Sequence, residues 1–195
     1  DSKKLFKRKL ERGLAPLERG VLGSLLVKVA SDAAPSRLPA TLADLLTSVS
    51  PGAIEFARTY PWYTDCQLPL PHHADATSLE LSANAMRVAM RQQGVELLLM
   101  RAEPIFTREF NRRIDITDNK AAVTTELTTR RILDLYTTLP YPHLNIVVDR
   151  QGCRTHYREI LQRVFDGCRM KIHGESEAQA SYTLTVSNDW TSTAK

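Results

Sequence analysis

Residues 144–149 read Leu-Asn-Ile-Val-Val-Asp, a short run of branched apolar side chains that ends in a carboxylate. A run of this kind without turn-forming residues is typical of a strand that is buried on both faces. Open α/β sheets place their ligand crevices at the carboxyl ends of such strands. We therefore predict that residues 144–148 form the central strand of a sheet and that Asp149 lies at its functional edge.

Helical and strand patterns alternate on both sides of this run. The periodicity predicts helices over 79–93, from 117 or 118 to 138 and over 154–165, strands over 95–101, 170–172 and 182–186, and a polar connection over 104–116. Helices of this length between strands imply strand pairing that is at least partly parallel. The predicted fold class is α/β, with a mixed sheet flanked by helices in a single domain over residues 1–195.

The first third of the chain has a different pattern. Apolar residues at three-to-four spacing predict helix from residue 3 to about 30, and interruptions at Pro16, Gly20 and Gly23 favour two helices with a bend over a single helix. Six of the ten prolines then fall within residues 35–71, around a short apolar helix. We predict a Pro-rich helical insertion over residues 35–76.

Two groups in this insertion are candidates for binding. Four aromatic residues lie close together in the sequence: Phe56, Tyr60, Trp62 and Tyr63. They are expected to pack against the parent domain, and the alternatives are stacking on nucleic-acid bases or contact with another protein. Cys66, His72 and His73 are soft metal ligands by type, but their spacing is not that of a zinc site.

Composition restricts the class of protein. Hydrophobic residues make up 43% of the chain and charged residues 25%, which is typical of a globular protein and unlike a disordered or fibrous one. No apolar run is long enough to span a bilayer. The three cysteines include no CxxC pair, which favours a reducing compartment, so we expect a cytoplasmic protein.

Positive charge is concentrated at the N-terminus. The chain has 26 Lys and Arg residues against 22 Asp and Glu residues, a net charge of +4. Residues 1–12 contain six of the basic and two of the acidic residues, so the remainder of the chain is neutral. Such a cluster suits contacts with the phosphates of a polyanion. The alternative interpretation is a solvated helix face.

A second acidic residue of interest is Glu175, just after the predicted strand over 170–172. If Asp149 and Glu175 meet at one sheet edge, a hard divalent cation would offset their repulsion. Two such ions about 4 Å apart can activate water and stabilise the leaving oxygen in phosphodiester cleavage. The alternative is that Asp149 only caps the turn that follows it.

Several motifs resemble, in their order along the chain, those of type 2 ribonucleases H, the ribonuclease HII family. The sequence Asp-Ser-Lys-Lys-Leu at residues 1–5 resembles the family's DSKKL element. Residues 144–149 resemble its strand ending in VDG, and residues 171–176 resemble its KGDS element. The resemblance implies a ribonuclease H-like fold. It also implies Mg²⁺- or Mn²⁺-dependent hydrolysis of RNA in RNA–DNA hybrids or in duplexes that contain ribonucleotides.

The resemblance also implies roles for individual residues. Asp149 corresponds to the third metal-binding carboxylate, and Glu175 stands in place of the fourth, so both are expected to be catalytic and to bind the metal. Ser2, Lys3 and Lys4 would contact the nucleic-acid backbone. Because the family's first two carboxylates precede DSKKL, we expect this sequence to be a fragment of a longer protein.

The sequence departs from the family's pattern at the proposed site. Arg150 replaces the glycine of VDG, and the fourth acid is Glu where the family has Asp. Arg150 and Arg154 would hold a phosphate or only neutralise the acidic pair. Tyr157 and Tyr182 are interpreted as packing residues. The alternative function is therefore a catalytically inactive nucleic-acid-binding module with the same fold.

Overall fold

The computed structural model describes residues 13–31, 38–63, 66–151 and 154–186. Ser2, Lys3 and Lys4 lie outside the described residues. The chain separates into two compact units, Asp1–Phe106 and Thr107–Lys195. No helix within the described residues is both long and apolar enough to cross a membrane.

The first unit is helical. Its helices within the described residues are α1 (Ala15–Ser31), α2 (Leu42–Val49), α3 (Ala53–Ala57) and α4 (Ala76–Gln92). α1 packs along α4, and α2 contributes Val49 to the apolar core of this unit. The buried residues of this core are Leu22, Leu25, Leu26, Val27, Val49, Leu79 and Ala83. Burial of these side chains is the main favourable contribution to folding of this unit.

Local signals in the sequence fix where these helices begin and end. Thr41 and Asp44 form a capping box at the start of α2, with their side chains bonded to each other's backbone N–H. The Asp75 side chain accepts a hydrogen bond from Ser78 N at 2.7 Å and caps α4. α4 ends at Gln92, and Gly94, with a φ of 64°, forms the Schellman turn that follows.

The second unit combines helices with a β-hairpin. The elements in the described part of this unit are α5 (Thr107–Thr117), α6 (Lys120–Thr138), α7 (Arg158–Val164), β1 (Arg169–Glu175) and β2 (Ala180–Thr185). β1 and β2 pair in antiparallel orientation, with Lys171 opposite Thr183 and a bulge between Ile172 and Gly174. α6 packs against α5 and α7, and the buried apolar residues Val123, Leu127, Leu133 and Phe165 lie on α6 and at the end of α7.

The predicted combination of helix and sheet is confirmed in its coarse form. The sheet that the described residues form has two strands, both in the second unit. The strands predicted over 170–172 and 182–186 are present as β1 and β2, and the helix predicted over 79–93 is α4. The Pro-rich segment predicted over 35–76 contains α2 and α3 where it is described. The predicted single domain over 1–195 stays a prediction.

The prediction of a buried central strand over residues 144–148 is wrong. These residues form no regular secondary structure, and Val147 is 97% exposed. A branched apolar run favours a strand only if another strand supplies hydrogen bonds to it. β1 pairs instead with β2 across a short loop. Closing a short loop costs less conformational entropy than pairing with a distant segment.

Two other segments also differ from their predictions. Residues 95–101 form no strand, and Leu-rich segments have lower strand propensity than β-branched ones. Residues 104–116, predicted as a polar connection, include most of α5. Glu109 pairs with Arg112 and with Arg113 on this helix, and such pairs three and four residues apart stabilise a charged helix.

α1 runs as one continuous helix through Pro16, Gly20 and Gly23, and residues 3–12 of the two predicted helices lie outside the described residues. Pro16 lies in the first helical turn, where a backbone N–H has no intrahelical partner to lose. Gly20 and Gly23 lie inside the helix, and an ideal Cβ at either position would meet no atom within 4 Å. Packing of the neighbouring leucines therefore outweighs the helix-breaking tendency of glycine.

Candidate functional site

Asp149 lies in an exposed, irregular segment between α6 and α7. Its Oδ1 accepts a hydrogen bond from Arg150 N at 2.9 Å, and its carbonyl oxygen accepts one from Gln151 Nε2 at 3.0 Å. Both bonds are local, and the carboxylate itself accepts only the one from the N–H of the next residue. The next helix, α7, begins only at Arg158, so both interpretations of Asp149 stay predictions.

Glu175 ends β1 and keeps 17% of its side chain exposed. Its Oε1 accepts a hydrogen bond from the Tyr182 hydroxyl, and its Oε2 is 3.8 Å from His156 Nε2. Burial and the bond to Glu175 raise the pKa of Tyr182 to about 12. The hydroxyl of Tyr182 is therefore protonated at neutral pH and serves as a donor to the carboxylate.

Two tyrosines connect the segment after Asp149 to the hairpin. The Tyr182 hydroxyl accepts a hydrogen bond from Tyr157 N at 2.9 Å. The Tyr157 hydroxyl accepts one from Gln151 N at 3.0 Å and donates to the Arg154 carbonyl at 3.2 Å. We call His156, Tyr157, Glu175 and Tyr182 the tyrosine cluster. Its hydrogen bonds fix the entry to α7 against the end of β1.

The surroundings of the two predicted acids are in contact. Arg150 Nη1 donates a hydrogen bond to the Glu177 carbonyl at 2.9 Å. This bond joins the residue after Asp149 to the loop that follows Glu175. The structure thus brings the two regions together, while each carboxylate accepts hydrogen bonds from other groups. Their assignment as catalytic metal ligands stays a prediction.

The described residues do not themselves complete a metal site. No group of three or more His, Cys, Asp or Glu side chains suited to a metal ion occurs among them. Mg²⁺ prefers six oxygen ligands in octahedral geometry, and Asp149 and Glu175 supply only part of such a set. Further ligands would come from water, from substrate phosphates or from other parts of the protein.

One face of the hairpin is basic. Five exposed side chains, which we call the basic hairpin face, lie on the same side of β1 and β2: Arg169, Lys171, His173, Thr183 and Thr185. His173 Nε2 and Thr183 Oγ1 are 2.7 Å apart. The acid of these two strands, Glu175, contacts Tyr182 on the opposite side. The strands therefore present cations and hydroxyl groups on this face with no neutralising carboxylate of their own.

Three of the four aromatic residues of the predicted insertion form a cluster around the Tyr60 ring, and the fourth, Phe56, is 68% exposed. This ring is buried and stacks on Phe106 at a centroid distance of 5.4 Å. Trp62 and Tyr63 contact the Tyr60 ring at 5.4 and 6.0 Å, but Trp62 is 67% exposed. The expected packing is thus found for Tyr60 and only in part for its neighbours.

His72 and His73 have a structural role through their backbone. Their N–H groups and that of Ala74 donate hydrogen bonds to the Glu18 carboxylate at 2.7, 2.8 and 2.6 Å. Burial raises the pKa of Glu18, but the three backbone bonds outweigh it, so the pKa lies below the ordinary value of 4.5. The segment therefore folds around the Glu18 carboxylate.

Sequence reasoning misses most of the residues that make these sites. The interpretation of Tyr157 and Tyr182 as packing residues is incomplete, because both hydroxyls belong to a polar network. The signal for the basic hairpin face is present in the alternation of Arg169, Lys171 and His173 along one strand.

No family model, no curated protein and no solved structure matches this chain.

Proposed function

We propose that this protein is a nucleic-acid-binding module and that the basic hairpin face contacts the phosphate backbone. The observation that carries the proposal is the set of exposed Arg169, Lys171 and His173 side chains on one face of β1, without an acid from either strand. Cationic side chains and hydroxyl groups are the usual donors to phosphate oxygens. A two-stranded ribbon is also an established shape for nucleic-acid contact.

Charge in the surrounding sequence supports this proposal. Residues 150–173 contain six Lys or Arg residues against two acidic ones, although Asp149, Glu175 and Glu177 flank this stretch. The basic N-terminal segment with Ser2, Lys3 and Lys4 adds further positive charge in the sequence. Phosphate contacts of this kind give affinity without base specificity, so we expect binding of RNA–DNA hybrids and of other duplexes.

A salt titration of binding tests the proposal. We expect the affinity for a labelled RNA–DNA hybrid to fall steeply between about 50 and 200 mM salt. The double substitution Arg169→Ala/Lys171→Ala should lower the magnitude of the log–log salt slope by about 2, because each lost phosphate contact removes about 0.9. Fluorescence anisotropy of the labelled duplex measures both quantities.

The matched control removes two exposed cations elsewhere, with Arg58→Ala/Lys120→Ala. This variant has the same net charge as the hairpin variant, and its salt slope should stay near that of the unmodified protein. If the salt slope decreases equally in both variants, the effect depends on net charge alone. That result would exclude the basic hairpin face as the binding surface. An absence of binding at low salt would exclude the function altogether.

A second candidate function is metal-dependent cleavage of RNA in RNA–DNA hybrids by a ribonuclease H-like fold. The Arg150–Glu177 hydrogen bond favours it, because this bond joins the surroundings of Asp149 and Glu175. In this function the two carboxylates would bind Mg²⁺ or Mn²⁺, and the basic hairpin face would hold the duplex. The metal would supply an activated water and charge stabilisation at the phosphate.

A cleavage assay separates the two functions. The assay uses Mg²⁺ or Mn²⁺ and a labelled hybrid, and cleavage should be lost in Asp149→Asn and in Glu175→Gln. The control Asp115→Asn, which changes an exposed acid on α5, should retain cleavage. Salt-sensitive binding without any cleavage would leave the binding module as the function. Cleavage that persists in Asp149→Asn would exclude this residue as a metal ligand.

A further inference from the structure

α4 carries a second apolar face opposite the one that it buries. Leu79 and Ala83 point into the core of the first unit and are 0% and 1% exposed. Leu81, Ala85 and Val88 follow the spacing i, i+4, i+7 on the other side of the helix, a pattern that forms one continuous line of side chains. Leu81 is 65% exposed and Val88 is 55% exposed. We call these three residues the α4 stripe.

The α4 stripe is nearly symmetric about its centre. Leu81 lies four positions before Ala85, and Val88 lies three positions after it. When two copies of such a helix cross in antiparallel orientation at Ala85, the larger side chain of each copy meets the smaller one of the other. A small residue at the crossing point allows the two helix axes to approach closely.

Charges beside the stripe have the same symmetry. Glu80 lies five positions before Ala85 and Arg91 six positions after it, and at 3.6 residues per turn both lie on the same flank of the stripe. Both side chains are exposed. In an antiparallel pair, residues on the same flank face each other across the interface, as flanking charges do in coiled coils. Glu80 of each copy would therefore face Arg91 of the other.

We propose that two copies of this chain associate through the α4 stripe as a two-fold symmetric, antiparallel helix pair. Leu81 of one copy packs against Val88 of the other, and two Glu80–Arg91 ion pairs close one edge of the interface. The charge complementarity selects a second copy as the occupant, because a two-fold interface must be self-complementary. Burial of an exposed apolar stripe provides the driving force.

The expected dimer is weak. Two helices of this length bury less surface than a stable protein–protein interface of standard size. We therefore expect a dissociation constant on the order of micromolar. The ion pairs at the edge fix the orientation more than they add affinity.

Sedimentation equilibrium of the full chain at low salt tests the proposal. The unmodified protein should show reversible monomer–dimer association, and Leu81→Asp should abolish it. The control Phe56→Asp places the same charge at a similarly exposed apolar residue of the first unit, 68% exposed, and should leave association unchanged. Circular dichroism and thermal unfolding establish that each variant is folded.

Charge reversal tests the antiparallel pairing itself. Glu80→Arg and Arg91→Glu should each weaken self-association about tenfold, because attractive pairs become repulsive ones. An equimolar mixture of these two variants should form heterodimers, since one copy then carries two basic side chains at these positions and the other carries two acidic ones. The double variant Glu80→Arg/Arg91→Glu should recover the original affinity within about twofold, because both ion pairs are restored with their charges exchanged.

Three outcomes would overturn the proposal. A monomer at every concentration would mean that another partner covers the stripe or that none does. Association that survives Leu81→Asp would place the interface elsewhere. Loss of association in both charge variants without recovery in their mixture would exclude the antiparallel arrangement.

Discussion

Glu18 shows how a single residue organises a loop in the first unit. Its carboxylate is 9% exposed and accepts three backbone N–H groups from residues 72–74. A buried carboxylate is unfavourable unless hydrogen bonds replace its hydration. The donors are consecutive backbone groups, so the side chain determines the path of the chain before α4.

Replacing Glu18 by Gln should lower the free energy of unfolding by about 2–3 kcal/mol at pH 7, because charged hydrogen bonds from three backbone N–H groups to this buried carboxylate are lost. The pKa of Glu18 is lowered in the folded state, so its contribution is fully present above the unfolded pKa near 4.5. This contribution is lost as the pH falls through the lowered folded value. Urea unfolding between pH 7 and pH 3 measures the difference between the two proteins.

The control for this prediction is Glu96→Gln, which removes the charge of an exposed carboxylate in the same unit. Its unfolding free energy should stay within about 0.5 kcal/mol of the unmodified protein. If Glu18→Gln unfolds at the same urea concentration as this control, the Glu18 carboxylate has no role in stabilising the loop.

In the second unit, Tyr182 likewise joins distant parts of the chain through hydrogen bonds of its side chain. Tyr182→Phe removes the donor to Glu175 and the acceptor of Tyr157 N, and should cost about 1–2 kcal/mol of stability. The folded pKa of Tyr182 is raised from 10.0 to about 12, so this contribution is present below pH 10 and is lost as the pH rises towards 12.

Absorbance titration of tyrosinate measures the raised pKa directly. One tyrosine of the unmodified protein should ionise near pH 12, and this component should be missing from Tyr182→Phe. Tyr141→Phe, which changes an exposed tyrosine, should leave the late component in place. A late component that persists in Tyr182→Phe would assign it to another residue.

At the scale of the element, hydrogen-bonded caps determine where α4 ends. Gly94 N donates to Arg91 O at 3.2 Å, and Val95 N donates to Met90 O at 2.9 Å. These two bonds define a Schellman turn, which needs a residue with positive φ after the helix. Glycine adopts this conformation without a steric penalty.

Gly94→Ala should therefore destabilise the protein by about 1 kcal/mol, since its φ of 64° disfavours a side chain. Gly20→Ala should have the opposite sign and stabilise α1 by about 0.5–1 kcal/mol. Gly20 lies in the helix interior, and its added Cβ would meet no atom within 4 Å. Thermal unfolding of the two variants compares them, and the same sign of change in both would contradict the assigned conformations.

At the scale of the whole molecule, the environment of residues 144–148 distinguishes the predicted sheet from the observed fold. The sequence predicts a buried central strand there, and the structure has an irregular segment with Val147 97% exposed. A central strand of a ribonuclease H-like sheet would bury this side chain. The environment of this one side chain is therefore a measurable property of the fold.

Val147→Asp should change the free energy of unfolding by less than about 0.5 kcal/mol, as expected for an exposed position. In a buried strand the same change would leave an unpaired buried charge and cost several kcal/mol. The control is Val123→Ala on α6, where the side chain is 0% exposed, with an expected loss of about 2 kcal/mol. Chemical denaturation measures both, and a large loss in Val147→Asp would favour the sheet.

Local patterns predict much of this protein correctly. The helices α4 and α6 and both hairpin strands follow from periodicity, and the end of α4 before Gly94 follows from residue type, whereas the cap at Asp75 and the start of α4 at Ala76 were not predicted. These features depend on interactions within a few residues, which the order of amino acids fixes directly.

Features that need distant residues were determined only by the tertiary structure. Residues 144–148 have the composition of a strand but no pairing partner in the described chain, and an apolar run does not specify its partner. Likewise, nothing in the sequence near Glu18 indicates that its carboxylate binds the N–H groups of residues 72–74. Nothing near Tyr182 indicates that its hydroxyl binds the carboxylate of Glu175. Composition and periodicity determined where helices and hairpin strands form, because these depend on local backbone preferences. Which side chains become buried and bonded depended on contacts between segments far apart in the chain, and these exist only after folding.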